Sequence, residues 1–75
     1  FNRFSGIVVY PNPAKNTLNI VTDLDIKASL YDMTGRILKS NITEKQVNLS
    51  NLPSGVYFLN IEHEGNIYNK RIIKE

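Results

Sequence analysis

Cysteine is absent from this sequence and histidine occurs once, which excludes disulfide staples, thiolate chemistry and the usual Cys/His zinc sets. Stability has to come from packed aliphatic side chains. The missing cysteines leave the compartment open, since a protein without thiols is tolerated on either side of a membrane. No apolar run approaches the roughly 20 residues of a membrane span, and no stretch has the layout of a signal peptide. Excess charge is scarce too. Nine Lys and Arg against seven Asp and Glu give a formal net charge of +2, and the basic residues are scattered until the last six, too weak a field to argue for nucleic acid. No stretch shows a 3.6-residue apolar period with caps at both ends, so no helix is predicted. At 75 residues the chain makes one domain that buries roughly 60% of the surface its unfolded form exposes, with no room for a deep catalytic cleft. It begins at Phe1 rather than methionine and so reads as a piece of something longer. Residues 1–6, ending on Gly6, read as the tail of a linker ahead of a domain over 7–75.

What the sequence does contain is short strand-like runs. The longest, Val56 to Ile61, is almost wholly β-branched, aromatic or Leu, with turn formers just ahead, and is expected at the centre of its sheet. Tyr57, Leu59 and Ile61 share one face of it and Val56, Phe58 and Asn60 the other, so cover is expected on both sides. Ahead of it, Ile7 to Tyr10 reads as a strand stopped by Pro11-Asn12-Pro13, where the prolines lack the N–H that a ladder needs and Pro13 pushes Asn12 toward extended geometry. Asn16 can take a left-handed turn. Thr17 to Thr22 alternates with Leu18 and Ile20 inward, and, after the link Asp23-Leu24-Asp25, Ile26 to Asp32 alternates with Ile26, Ala28 and Leu30 inward. Asp32-Met33-Thr34-Gly35 fits a type I turn in which the Asp32 carboxylate holds turn amides and Gly35 takes positive φ. The hairpin's second strand, Arg36 to Ser40, sets Ile37 beside Leu38, a sign of a bulge or an edge. Lys45 to Leu49 reads as a short edge strand with Val47 and Leu49 inward and Leu52 as a plug. Leu52-Pro53-Ser54-Gly55 makes another turn, with Pro53 presetting φ at its second position, and His63-Glu64-Gly65-Asn66 marks a tight hairpin. Seven short strands with a turn signal about every ten residues predict an all-β sandwich.

The last strand breaks its own pattern. Ile67, Asn69, Arg71 and Ile73 share one face and Tyr68, Lys70, Ile72 and Lys74 the other, so each face mixes apolar with basic or polar residues. Either a bulge near Lys70 switches faces, with lysine stems lying along the sheet, or the strand is written to be read by a partner, its edge offering backbone pairing and Lys70, Arg71 and Lys74 offering charge to an acidic groove.

Four motifs in order carry a resemblance: Val9-Tyr10-Pro11-Asn12-Pro13-Ala14, Leu30-Tyr31-Asp32 with Gly35-Arg36, Leu52-Pro53-Ser54-Gly55-Val56-Tyr57-Phe58-Leu59, and Lys70-Arg71-Ile72-Ile73-Lys74. Over residues 8 to 75 the chain resembles the type A C-terminal sorting domain of the type IX secretion system. The resemblance implies an immunoglobulin-like antiparallel β-sandwich and a non-catalytic module at the C-terminus of a secreted or surface protein of a Gram-negative bacterium. In such families the domain directs an N-terminal cargo from the periplasm across the outer membrane. An outer-membrane translocon and a shuttle barrel recognise it, and a surface sortase commonly removes it upstream and joins the cargo to an anionic lipopolysaccharide. Carried onto this chain, Lys70, Arg71, Ile72, Ile73 and Lys74 are the expected recognition residues. Pro11, Asn12, Pro13, Asp32, Gly35, Pro53, Gly55 and Tyr57 are the expected structural ones. No catalytic residue, cofactor, metal, nucleic acid or membrane insertion is implied. Lys70 to Glu75 is expected to be removable without unfolding the sandwich, and the isolated domain is expected to pair edge to edge or swap strands.

Other constellations are weaker. Asp23 and Asp25 supply two carboxylates where calcium takes six to eight oxygens. His63 lies between Glu62 and Glu64 without a serine or cysteine nucleophile placed near it, and reads as a solvated residue at a hairpin end. Phe58 and Tyr68 are core or interface aromatics before they are stacking platforms. Asn41-Ile42-Thr43 and Asn48-Leu49-Ser50 match a glycosylation pattern that means little outside a eukaryotic secretory route. The alternative function for so small a sandwich is a carbohydrate-binding or adhesion accessory domain; an enzyme has almost nothing to work with.

Overall fold

Each expected apolar segment forms a strand. The structure, a computed structural model, describes residues 7–75; the linker expected at 1–6 lies outside the described residues. The strands are β1 (Val8–Tyr10), β2 (Thr17–Val21), β3 (Lys27–Tyr31), β4 (Ile37–Ile42), β5 (Gln46–Asn48), β6 (Gly55–His63) and β7 (Asn66–Lys74), with no helix among the described residues. They build two antiparallel sheets, ordered β1-β2-β5 and β4-β3-β6-β7. Lettered A to G in chain order, the sheets are A-B-E and D-C-F-G. This is the constant-type immunoglobulin arrangement with its fourth strand moved to the other sheet.

Period-two alternation decides what is buried. Leu18 and Ile20 of β2 and Val47 of β5 face Ala28 and Leu30 of β3, Leu59 and Ile61 of β6, and Ile72 of β7 in one apolar cluster shared by both sheets. β6 lies between β3 and β7, an interior strand as its apolar run implies. Its other face is different. Phe58 is 38% exposed and Val56 half-buried, so the fold supplies cover on one side only. Tyr57 points inward, and its hydroxyl donates to the Pro53 carbonyl four residues upstream. A tyrosine at the start of strand F that ties back in this way is the tyrosine corner of immunoglobulin-like sandwiches.

Several local expectations are corrected. Asn16 does not take positive φ; among non-glycines Asn41 and Glu64 do. β4 runs on to Ile42, because the Ile37-Leu38 irregularity is absorbed by register shifts against β3 and inward alternation resumes at Ile42, on an edge strand where a bulge costs little. The hydrogen-bonded turn before β6 spans Leu49 to Leu52 (3.0 Å) rather than Leu52 to Gly55. Gly55 is instead the first residue of β6, opposite Lys74. The β6–β7 hairpin closes as expected on a two-residue loop, Glu64 (φ 50°) and Gly65 (φ 82°), the pair of positive φ values that matches the twist of the flanking strands.

The turn after β3 also forms as expected. One Asp32 carboxylate oxygen accepts from the Thr34 N–H (2.9 Å), the Thr34 hydroxyl (2.7 Å) and the Arg36 N–H (3.0 Å), while the Gly35 N–H donates to the Asp32 carbonyl (3.0 Å). The Thr34 hydroxyl first, and then the Arg36 N–H, hold the Asp32 carboxyl below its ordinary value of 3.8. A carboxyl whose pKa is lowered on folding adds stability that is present above the unfolded value and is lost as pH falls through the folded one. Acid titration of stability should therefore steepen below pH 3.8, and Asp32→Asn should flatten that limb; an unchanged profile would contradict the turn's role. In the core, Leu59→Ala should cost about 2–5 kcal/mol in urea unfolding, and Tyr57→Phe about 0.5–1.5 kcal/mol for the lost hydrogen bond.

Candidate recognition surface

β7 ends the four-stranded sheet, so one side of its backbone faces away from β6. Its register against β6 is unbroken, from His63 opposite Asn66 to Gly55 opposite Lys74, and the bulge considered near Lys70 does not form. Alternation simply continues. Tyr68 and Ile72 are buried and Lys70 and Lys74 share their face half-buried, while Ile67, Asn69 and Arg71 are exposed on the other face beside a half-buried Ile73. An edge strand tolerates lysines facing inward because the stem can lie on apolar surface while the ammonium stays in water. Inward-pointing charges on an edge also obstruct pairing with another sheet. The Lys74 ammonium donates to the Glu75 carbonyl at 3.2 Å.

The outward backbone of β7's last residues is occupied by the segment that follows β1. Asn12 Nδ2 donates to the Arg71 carbonyl and Asn12 Oδ1 accepts from the Ile73 N–H, both at 2.9 Å, so one carboxamide supplies the donor and acceptor of a missing neighbouring strand. Pro11 and Pro13 have no N–H to offer, so the main chain on either side of Asn12 cannot act as a regular strand. At Ala14 the main chain takes over in a parallel bridge to Lys74. The Ala14 N–H donates to the Ile73 carbonyl (2.7 Å) and its carbonyl accepts from the Glu75 N–H (2.8 Å). Ala14 is itself fully buried in the shared core.

Motifs far apart in the chain therefore meet at one end of the sandwich. Asn12 reaches residues 59 and 61 positions away, Gly55 is opposite Lys74, and Tyr57 is opposite Ile72. Asp32 follows Tyr31 in the cross-strand row Tyr31–Phe58–Arg71, so the Asp32–Gly35 turn, Pro53 and the C-terminus lie at the same end. Of the five expected recognition residues, Lys70, Arg71, Ile73 and Lys74 reach the surface wholly or in part; Ile72 is fully buried, an anchor rather than a contact. Two of the sequence expectations meet structural obstacles here. Removing Lys70 to Glu75 would take out the buried Ile72 and every backbone group that Asn12 and Ala14 hold. Edge-to-edge pairing meets both the inward lysines and the Asn12 cover at this end of β7. The bonds of Asn12 and Ala14 left no mark in the sequence beyond the prolines that flank the asparagine.

Elsewhere there is less. His63 is not a free solvated group: its Nδ1 lies 2.8 Å from the Asp25 carbonyl, its side chain 18% exposed, with Nε2 3.7 Å from Glu64. Among the described residues no three His, Cys, Asp or Glu side chains gather as a metal site, and no helix is long and apolar enough to cross a membrane. Tyr68 is buried.

Comparison with known proteins agrees with the geometry. Residues 8–75 match the family described as the secretion system C-terminal sorting domain. Beta-agarase D of Zobellia galactanivorans is 33% identical over 54 residues, 71% of this chain; the chain spans 11% of that relative's length. Domains of this family are C-terminal sorting signals for type IX secretion. They are not themselves catalytic, they are attached to an N-terminal cargo, they engage the type IX machinery, and they mark proteins for secretion or surface attachment through the outer membrane. Since the match runs from the first described strand to Glu75 and takes in both the Pro-Asn-Pro segment and the strand it grips, this chain belongs to the family of secretion system C-terminal sorting domains.

Proposed function

We propose that the address within this sorting domain is β7, with Arg71, Lys70, Lys74 and Ile73 as the residues read by the outer-membrane translocon and shuttle barrel. A surface sortase then removes the domain upstream and transfers the cargo. One observation carries this: β7 is an edge strand whose last five residues include three cations, Lys70, Arg71 and Lys74, of which Arg71 is exposed. A main-chain edge supplies affinity to an approaching strand, and alternate side chains supply selectivity. Pro11, Pro13, Asp32, Gly35, Pro53, Gly55 and Tyr57 build the end of the sandwich that holds the strand in place. Ile72 fastens it to the core.

Because truncation would also remove the buried Ile72 and the backbone groups that Asn12 and Ala14 hold, charge reversal is the cleaner experiment. A periplasmic passenger fused to the domain should reach the cell surface. Lys70→Glu, Arg71→Glu and Lys74→Glu together should hold it in the periplasm, with Ile72 intact and unfolding in urea little changed. Surface display of the triple variant at the parental level would overturn the assignment.

A further inference from the structure

Taking β7 as the address, we propose that Asn12 is a removable cover on its edge, and that an extended acidic segment of the secretion machinery pairs with β7 in its place. The outward backbone of β7 is divided. From Arg71 to Glu75 its carbonyl and amide groups bond to Asn12 and Ala14, whereas among the described residues no strand lies beside Ile67 and Asn69. Among the described residues, lifting Asn12 joins the two parts. The outward backbone from Ile67 to the Ile73 N–H then forms one row along the edge, with the Ile73 carbonyl still on Ala14, long enough for a partner strand of roughly five or six residues.

The local chemistry suits a cover that opens without unfolding the sandwich. Both bonds of Asn12 are solvent-exposed and come from one side chain, and Pro11 and Pro13 add no donors that would strengthen the grip. Ala14, buried and bonded through its main chain, stays behind as the hinge. Charge selects the occupant. A second copy of β7 would set Arg71 and the lysines against their own kind, which is unfavourable across a strand pair, while a segment carrying carboxylates would complement them.

The test uses Asn12→Ala together with Asn12→Asp, which keeps an acceptor for the Ile73 N–H but turns a carboxylate oxygen toward the Arg71 carbonyl. Amide exchange at Ile73 should quicken about tenfold in Asn12→Ala, the loss of roughly one hydrogen bond, with the core amides of β3 and β6 unchanged. A synthetic peptide of alternating Glu and Val, titrated into the domain, should shift the Asn69 to Ile73 amides at lower concentration in both variants than in the parent. Passengers fused to either variant should still be exported. Equal peptide binding by parent and variants would overturn the cover. A folded Asn12 variant that fails to export would do so too, since Asn12 would then be needed in place; the assignment of β7 as the address would survive, because that falls only with the charge-reversed triple. Unfolding of both variants would also overturn it, because a cover whose loss unfolds the sandwich cannot be lifted by a partner.

Discussion

The carboxamide of Asn12, bonded to the backbone of Arg71 and Ile73, is the contact that closes the C-terminal edge of this domain. It joins the link between β1 and β2 of the three-stranded sheet to the end of the four-stranded sheet, and with Ala14 it stitches the two layers together at the C-terminal end. An edge strand left with a row of unpaired N–H and C=O groups invites pairing with other chains. Here a side chain satisfies part of that row, because the two flanking prolines prevent the main chain from doing so.

The rest of the fold makes that contact possible in a small core. A 75-residue chain without cysteines has only aliphatic and aromatic packing to hold it, and nearly every inward position in β2, β3, β5 and β6 is filled by Leu, Ile, Val, Ala or Tyr. Ile72 and Tyr57, opposite one another on β7 and β6, carry this packing to the rim. The tyrosine hydroxyl on Pro53 and the carboxylate of Asp32 then fix the loops at the same end.

The proposed function rests on a division of labour along β7. Its buried residues belong to the sandwich, its exposed residues and backbone edge face outward, and the basic side chains lie at the boundary between the two. Sorting-signal domains of this family are not themselves catalytic; if β7 is the address, as proposed, a two-layer sandwich with that strand at its edge displays it. The outer face of β6 and β7, with Phe58 opposite Arg71 and Val56 opposite Ile73, is continuous with the displayed strand.

Alternation in short apolar runs was enough to determine the fold class, the seven strands, the inward residues Leu18, Ile20, Ala28, Leu30, Val47 and Leu59, and the two hairpin turns at Asp32 and Gly65, because each of these is decided by neighbours two to four positions apart. The sequence motifs likewise pointed to the family. What local pattern could not show was decided by the assembled sheets: that β7 keeps its register against β6 without a bulge, that Ile72 is core while Arg71 is surface, that β6 has cover on one side only, and that Asn12 closes the edge through contacts some sixty residues apart. Those outcomes depend on which strand ends the sheet and what lies beside it, a property of the assembled layers and not of any single segment.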